Sequence, residues 1–246
     1  MSLKSFDRPF FQDQGFCIVD NVFTQKQCDE LIAASHIFPS CQDGTLTPVM
    51  NPHRLHDAFF QAMRCVTIIE ILEELFSGTV SGLQSQFFFC RPGTPGFARH
   101  QDNFYVQAKP EVFGSAWVAL EDVTPQNGGL IVFAGSHHEK ILPTEAVAQR
   151  ETFGQDPNAN CQQVIMSSKY SPIDLRVARG GVVFIHGHLV HASHNNSTKD
   201  QFRRALLLTY IRKGEEFRSG FSAKRKEISL SLKRFDDRIL QESSCE

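Results

Sequence analysis

Aromatic side chains with a polar tip are scarce in this chain: one Trp and three Tyr stand against 22 Phe. Phe gives large apolar burial without a hydroxyl or indole N–H to satisfy, so most of these rings are expected in a core or along an apolar pocket. No two cysteines form a C-x-x-C pair, and their number, seven, is odd. That pattern excludes a disulfide framework and a zinc finger and suits reduced, buried thiols, which makes cytoplasmic the expected compartment. No apolar run approaches the roughly 18 residues of a membrane span. The opening "MSLKSFDRPFFQDQGF" has neither a continuous apolar segment nor a small-residue cleavage site, against a signal peptide. Net charge is also nearly absent, at −2. Without a basic stripe, neither a nucleic acid nor a membrane surface is expected as partner. The one basic cluster, "AKRKE" (223–227), reads as a solvated face. Repeats, low-complexity tracts and Gly/Ser linkers are missing too.

What remains is an ordinary globular balance, 41% hydrophobic and 21% charged, over 246 residues. A chain of that size buries roughly 70–75% of its unfolded surface and can hold a dry interior site. One domain, 1–246, is expected, with an N-terminal helical layer at about 1–78, a β core at about 80–212 and a tail at about 213–246. In "TQKQCDELIAAS", Thr24 is a candidate N-cap, and Cys28, Leu31 and Ile32 fall on one stripe. "AFFQAMRCVTIIEILEELF" continues at helical spacing to Gly78, and "GFCIVDNVF" reads as a short strand ahead of the first helix. From Val80 the pattern becomes short apolar or alternating runs bounded by Gly, Pro or Asn: "GLQSQFFFC", "VFGSAWVALED", "GGLIVFAG", "GGVVFIHG" and "RRALLLTYI". Such strands behind a helical layer predict an all-β core with flanking helices, a sandwich or jelly roll. The polar stretch 143–160 is long for a connection and reads as a lid or insertion. The stretch 222–246 reads as a partly ordered helix with a frayed end.

Within "RHQDNFY", His100 and Asp102 stand two positions apart. On an extended strand, residues i and i+2 share a face, with Cα atoms roughly 6–7 Å apart. Both side chains could then reach one ion at about 2.0–2.2 Å. Downstream, "GGVVFIHGHLVHASHNN" offers His186, His188, His191 and His194. Two His and one carboxylate on one face leave open positions on an octahedral ion, the arrangement of non-haem Fe(II) oxygenases, although the same ligands suit zinc. A cosubstrate such as 2-oxoglutarate would need a cation for its far carboxylate. "FRRALLLTY" supplies Arg203 or Arg204, whose guanidinium fork matches a carboxylate bidentately. Strand parity does not say which of the two points inward.

Together, "HQDNFY", "AWVALEDVTPQNGGLIVFAGSH", "GGVVFIHGHLVHASHNNS" and "FRRAL", spread over about 83–212, resemble the phytanoyl-CoA dioxygenase family of Fe(II)/2-oxoglutarate oxygenases. The N-terminal "GFCIVDNVFTQKQCDELI" is similar to the start of that family's domain. The resemblance implies a double-stranded β-helix (cupin-like jelly roll) with iron held by His100, Asp102 and His191 and with Arg203 gripping 2-oxoglutarate. It also implies cosubstrate contacts from Trp117, Ser193 and one of Gln84 or Gln86. His186 matches a family position that does not bind iron, and His188 and His194 carry no transferable role. Gln101, between two ligands, is expected to point away and support the site's wall. In "PQNGG" and "AGSH", Gly128 and Gly129 read as a sheet corner, and His137 and His138 as rim residues.

The implied reaction consumes O2 and 2-oxoglutarate, releases succinate and CO2, and hydroxylates an unactivated C–H bond of a small organic or acyl substrate. Halogenases of this type lack the carboxylate at the Asp102 position, so its presence favours hydroxylation. Two other classes fit parts of the pattern: a cupin-like metal-dependent hydrolase or isomerase, and a non-catalytic binding relative. Arg99, Asn103, Phe104 and Tyr105 flank the metal strand as pocket candidates. Substrate identity and oligomeric state are not legible.

Overall fold

The computed structural model describes residues 6–39, 48–147, 162–221 and 223–230. Helix α1 (Arg8–Gln14) precedes the first strand, which the sequence pattern did not anticipate. Asp7 caps it by accepting from the Phe10 N–H, and Gly15 ends it at φ 82°. Strand β1 (Phe16–Val19) follows where "GFCIVDNVF" placed it. Helix α2 (Gln25–Ser35) opens on Thr24 with a full capping box: Thr24 Oγ1 accepts from the Gln27 N–H, and Gln27 Oε1 accepts from the Thr24 N–H. Cys28 and Leu31 are buried as expected, and Ile32 packs against the same core half-buried.

The long helical run after residue 57 is two helices, α3 (Asp57–Met63) and α4 (Val66–Phe76). Phase is the reason. Extending the Phe59–Met63 stripe would bury Val66, yet Val66 is 58% exposed and the buried set is Ile68, Ile71, Leu72 and Phe76. A break at Arg64–Cys65 lets both halves bury an apolar face.

The core is two antiparallel sheets. In the larger, strands run β1–β9–β4–β11–β3–β2, with β2 at Val49–Met50, β3 at Val80–Cys90, β4 at Phe113–Ala119, β9 at Val182–His186 and β11 at Arg203–Arg212. The smaller runs β10–β5–β8, with β5 at Leu130–Phe133, β8 at Pro172–Asp174 and β10 at His191–Ser193. Alternation assigns the faces. Val118, Phe184, Leu206, Leu208 and Tyr210 turn outward onto Leu31, Phe59, Ile68 and Leu72 of the helices. Trp117, Val183, Ile185, Ala205 and Leu207 turn inward against Leu130 and Val132 of the smaller sheet.

A hairpin of β6 (Thr144–Ala146) and β7 (Gln162–Val164) brackets the expected lid, most of which lies outside the described residues. The described residues of 213–230 contain no helix, contrary to expectation at 223–230; 222 and 231–246 lie outside the described residues. This stretch forms a strap across the larger sheet, where Ile228 and Gly82 exchange backbone hydrogen bonds of 2.8 and 3.0 Å.

Candidate metal centre

His100 and Asp102 do not share a strand. The extended backbone stops at Gln101, and Asp102 opens the short helix α5 (Asp102–Val106). His100 instead pairs through its backbone with His191, in a two-way bridge of 2.9 and 3.0 Å. That bridge adds His100 to the edge of the smaller sheet beside β10. The convergence expected from strand alternation is reached by a bridge and a helix start.

One Asp102 oxygen, Oδ1, lies 3.7 Å from His100 Nε2 and 3.8 Å from His191 Nε2. All three donor atoms fall within 4.8 Å of one another, a grouping no other His, Cys, Asp or Glu set matches among the described residues. Each imidazole has Nδ1 at a backbone carbonyl, Ala98 at 2.8 Å for His100 and Leu189 at 3.0 Å for His191. A carbonyl only accepts, so Nδ1 of each ring carries a proton, which leaves Nε2, on the Asp102 side, as the atom available to a metal. Burial, then the neighbouring His191, pulls the His100 pKa down to about 4, against the opposing pull of Asp102. His100 is therefore neutral near pH 7, the form a metal ligand requires. Cis donors about 2.1 Å from one ion sit about 3.0 Å apart, and small side-chain torsions close the observed gaps to that. The donor set fits a hard-to-borderline divalent ion with open positions.

Two residues support this set, and only the first had no sequence signal. Ser115, fully buried on β4, donates its hydroxyl to Asp102 Oδ2 at 2.8 Å. Gln101, as expected, points the other way. Its amide donates to the His188 carbonyl at 2.7 Å and accepts from the Leu142 N–H at 2.8 Å, tying the ligand segment to the hairpin side.

The triad opens into a cavity of about 710 Å³. Arg203, 2% exposed, lines it with Nε unpartnered. Its guanidinium carbon sits 5.7 Å from the Trp117 ring centre. Gly128 backs it at φ +96°; a Cβ there would come within 3.5 Å of Nε and Nη2. Gly129 needs glycine for closeness instead, since a Cβ would meet the Thr124 carbonyl at 2.6 Å. Arg204 lies outside the cavity, paired with Glu121 and flanked by Phe89 and Phe202.

Trp117, Ser193, Gln84 and Gln86 all line the cavity. Gln84 is buried with Oε1 unpartnered, while the half-buried Gln86 points its amide at Met50 Sδ, 3.1 Å away. Ser193 Oγ accepts from the Phe97 N–H at 2.9 Å.

Phe104 and Tyr105 reach the cavity wall. Asn103 does not: both ends of its buried amide hold Ala108 and close α5. The remaining histidines stand apart from the triad. His186 packs between Phe11 and His137, and burial lowers its pKa to about 3. His188 contacts the Glu139 carbonyl, and His194 pairs with Asp174. His137 corrects the rim assignment, because it is buried against α1 with Nε2 3.0 Å from the Gln12 carbonyl; His138 is exposed. The "AKRKE" stretch is likewise not a purely solvated face: Ala223 is buried, and Arg225 lines the cavity while donating to the Tyr105 carbonyl.

Two facing antiparallel sheets with a His–Asp–His set at their open end define a double-stranded β-helix of the oxygenase type. A family model described as phytanoyl-CoA dioxygenase (PhyH) matches residues 11–205, and the chain belongs to that family. Phytanoyl-CoA dioxygenase of Arabidopsis thaliana is 30% identical over 126 residues, 50% of this chain and 42% of that protein. Phytanoyl-CoA dioxygenase domain-containing protein 1 of Danio rerio is 33% identical over 119 residues, 47% of this chain and 40% of that protein. The matched segments thus span less than half the length of those relatives. Among solved structures, the non-haem α-ketoglutarate-dependent carbocyclase SnoK superposes with a TM-score of 0.70 at 18% identity, covering 89% of both chains. EvdO2 of Micromonospora carbonacea var. aurantiaca, complexed with 2-oxoglutarate, gives 0.69 at 18% identity, covering 91% of this chain and 92% of that one.

Proposed function

We propose that this protein is an Fe(II)- and 2-oxoglutarate-dependent oxygenase that hydroxylates an unactivated C–H bond of a small organic or acyl substrate. Family membership supports the reaction class, and one observation carries the reading. A buried guanidinium with no carboxylate partner among the described residues faces the same cavity as a two-His, one-carboxylate donor set. An isolated buried charge is costly, so Arg203 is built for an anion that arrives with the reaction. A metal-dependent hydrolase or isomerase would not need it.

In this reading His100, Asp102 and His191 hold Fe(II), and Arg203 takes the far carboxylate of 2-oxoglutarate. Trp117 and Ser193 line the cosubstrate's flank, with Gln84 favoured over Gln86 because its Oε1 is the buried, unpartnered one. Bound iron supplies the activation of O2 that drives loss of CO2 and formation of succinate. The chain orients the cosubstrate and keeps water out with apolar walls such as Phe88, Phe97 and Leu207. The cavity volume lies within the range of small-molecule sites.

Purified protein with Fe(II), ascorbate and 2-oxoglutarate should form succinate slowly alone and faster with an accepted substrate. Product mass should show one added oxygen. Absence of both succinate formation and oxoglutarate binding would sink the reading.

A further inference from the structure

Asp102 offers two oxygens, and the structure treats them differently. Oδ1 faces both imidazoles, while Oδ2 is taken by the Ser115 hydroxyl at 2.8 Å. Ser115 is fully buried in the middle of β4, between Thr209 of β11 and Ile185 of β9. Its backbone is pinned on both sides by sheet pairing, so the hydroxyl is presented to Asp102 from a rigid strand. Three hydrogen bonds therefore fix the donor set: Ala98 O orients His100, Leu189 O orients His191, and Ser115 orients Asp102.

We infer that Ser115 is a positioning residue that holds Asp102 to one-oxygen coordination. The inference rests on the metal-site reading above. An octahedral ion has six positions. With one atom from each of three residues, three stay open, enough for the two chelating donors of 2-oxoglutarate and for O2. A carboxylate free to turn can present both oxygens to a metal. Asp102 would then take a fourth position and compete with the cosubstrate. By occupying Oδ2, Ser115 keeps that position open. Outer hydrogen-bond partners of metal ligands typically change metal affinity or activity by about 10–100-fold when removed.

The test uses the full chain loaded with Co(II), whose visible absorption reports coordination number, and needs no turnover. Wild type should bind Co(II) and then 2-oxoglutarate, with a spectral change as chelation replaces water. Ser115→Ala should still bind Co(II), but its 2-oxoglutarate affinity should fall by about tenfold or more. Its spectrum before 2-oxoglutarate should also differ from wild type. Ser115→Thr, which keeps the hydroxyl, should restore both readouts. Thermal unfolding of the metal-free Ala variant controls for folding and should keep a single cooperative transition, lowered modestly because Asp102 Oδ2 loses a buried donor.

A Ser115→Ala protein with wild-type spectrum and wild-type 2-oxoglutarate affinity overturns the inference and leaves the metal site standing. Should Ser115→Thr fail to fold, the Ala variant's spectrum and affinity decide alone. Wild-type protein that binds no Co(II) dependent on His100 and His191 overturns the metal-site reading itself.

Discussion

Arg203 offers the sharpest test, because the structure predicts opposite outcomes for binding and for stability. Its guanidinium is almost fully buried, with Nε lacking a partner. Exchanging it for Met keeps an unbranched chain against Trp117 and removes the charge. Losing one partner of a buried ion pair costs roughly 3–5 kcal/mol. At about 1.4 kcal/mol per decade, Arg203→Met should weaken 2-oxoglutarate binding by between about a hundredfold and a few thousandfold. The lower end is the firmer expectation, since the cosubstrate also chelates metal and the guanidinium borders a cavity.

Without ligand the balance reverses. Arg203 then holds a buried charge with no carboxylate partner among the described residues, so the metal-free Met variant should unfold at the wild-type temperature or above. Anaerobic titration of the Fe(II) protein, followed by its visible charge-transfer absorption, measures the first quantity, and scanning calorimetry the second. Arg204→Met serves as the control. It breaks a pair whose side chains are 20% and 22% exposed and should leave the cosubstrate constant within about twofold, as expected for a partly exposed pair outside the cavity. An Arg203→Met protein with undiminished 2-oxoglutarate affinity would refute the assignment.

The other expectations follow from particular contacts. His191→Ala should abolish the thermal shift that metal produces, about 2.7 kcal/mol at a hundred times Kd in the intact protein; an equal shift in the variant rejects the ligand. Thr24→Ala removes the hydroxyl that accepts from the Gln27 N–H and should cost about 1 kcal/mol, read as a lower denaturant midpoint; an unchanged midpoint rejects the cap's contribution. His186 has its pKa lowered to about 3 by burial, so the unfolded chain binds its proton first. Stability of metal-free protein should be complete above about pH 6.5 and fall as pH drops toward 3, by up to about 1.4 kcal/mol per unit from this group. Midpoints for His186→Asn across pH 7 to 4 should show a shallower decline, and an identical slope would count against the reading.

Sequence reading succeeded where chemistry is local and failed where it depends on folding at a distance. Strands β4, β9 and β11 were legible as short, largely apolar runs, buried on both faces, with Gly181 and Gly187 bounding β9. His100, Asp102 and His191 were legible because few other roles collect these residue types. The route by which they meet was not, since nothing in "RHQDNFY" says that a helix starts at Asp102. The break between α3 and α4 hides in a run whose halves are both helical; only the phase of Ile68, Ile71 and Leu72 exposes it. Helix α1 was readable in retrospect from Asp7, Pro9 and Gly15. Which of Arg203 and Arg204 faces the cavity depends on Glu121, more than eighty positions earlier, which pairs with Arg204. Ser115 looks like any polar residue in a strand until β4 meets α5. The strap was misjudged because "AKRKE" has the composition of a solvent-facing segment, while Arg225 turns onto Tyr105.

The backbone bridge between residues 100 and 191 makes the two imidazole carriers a single mechanical clasp. Their amide protons, hydrogen-bonded across it at 2.9 and 3.0 Å, exchange with solvent only when the mouth of the β-helix comes apart. Deuterium uptake at these two positions therefore gauges how often the unloaded protein gapes, and a bound ion should slow both together.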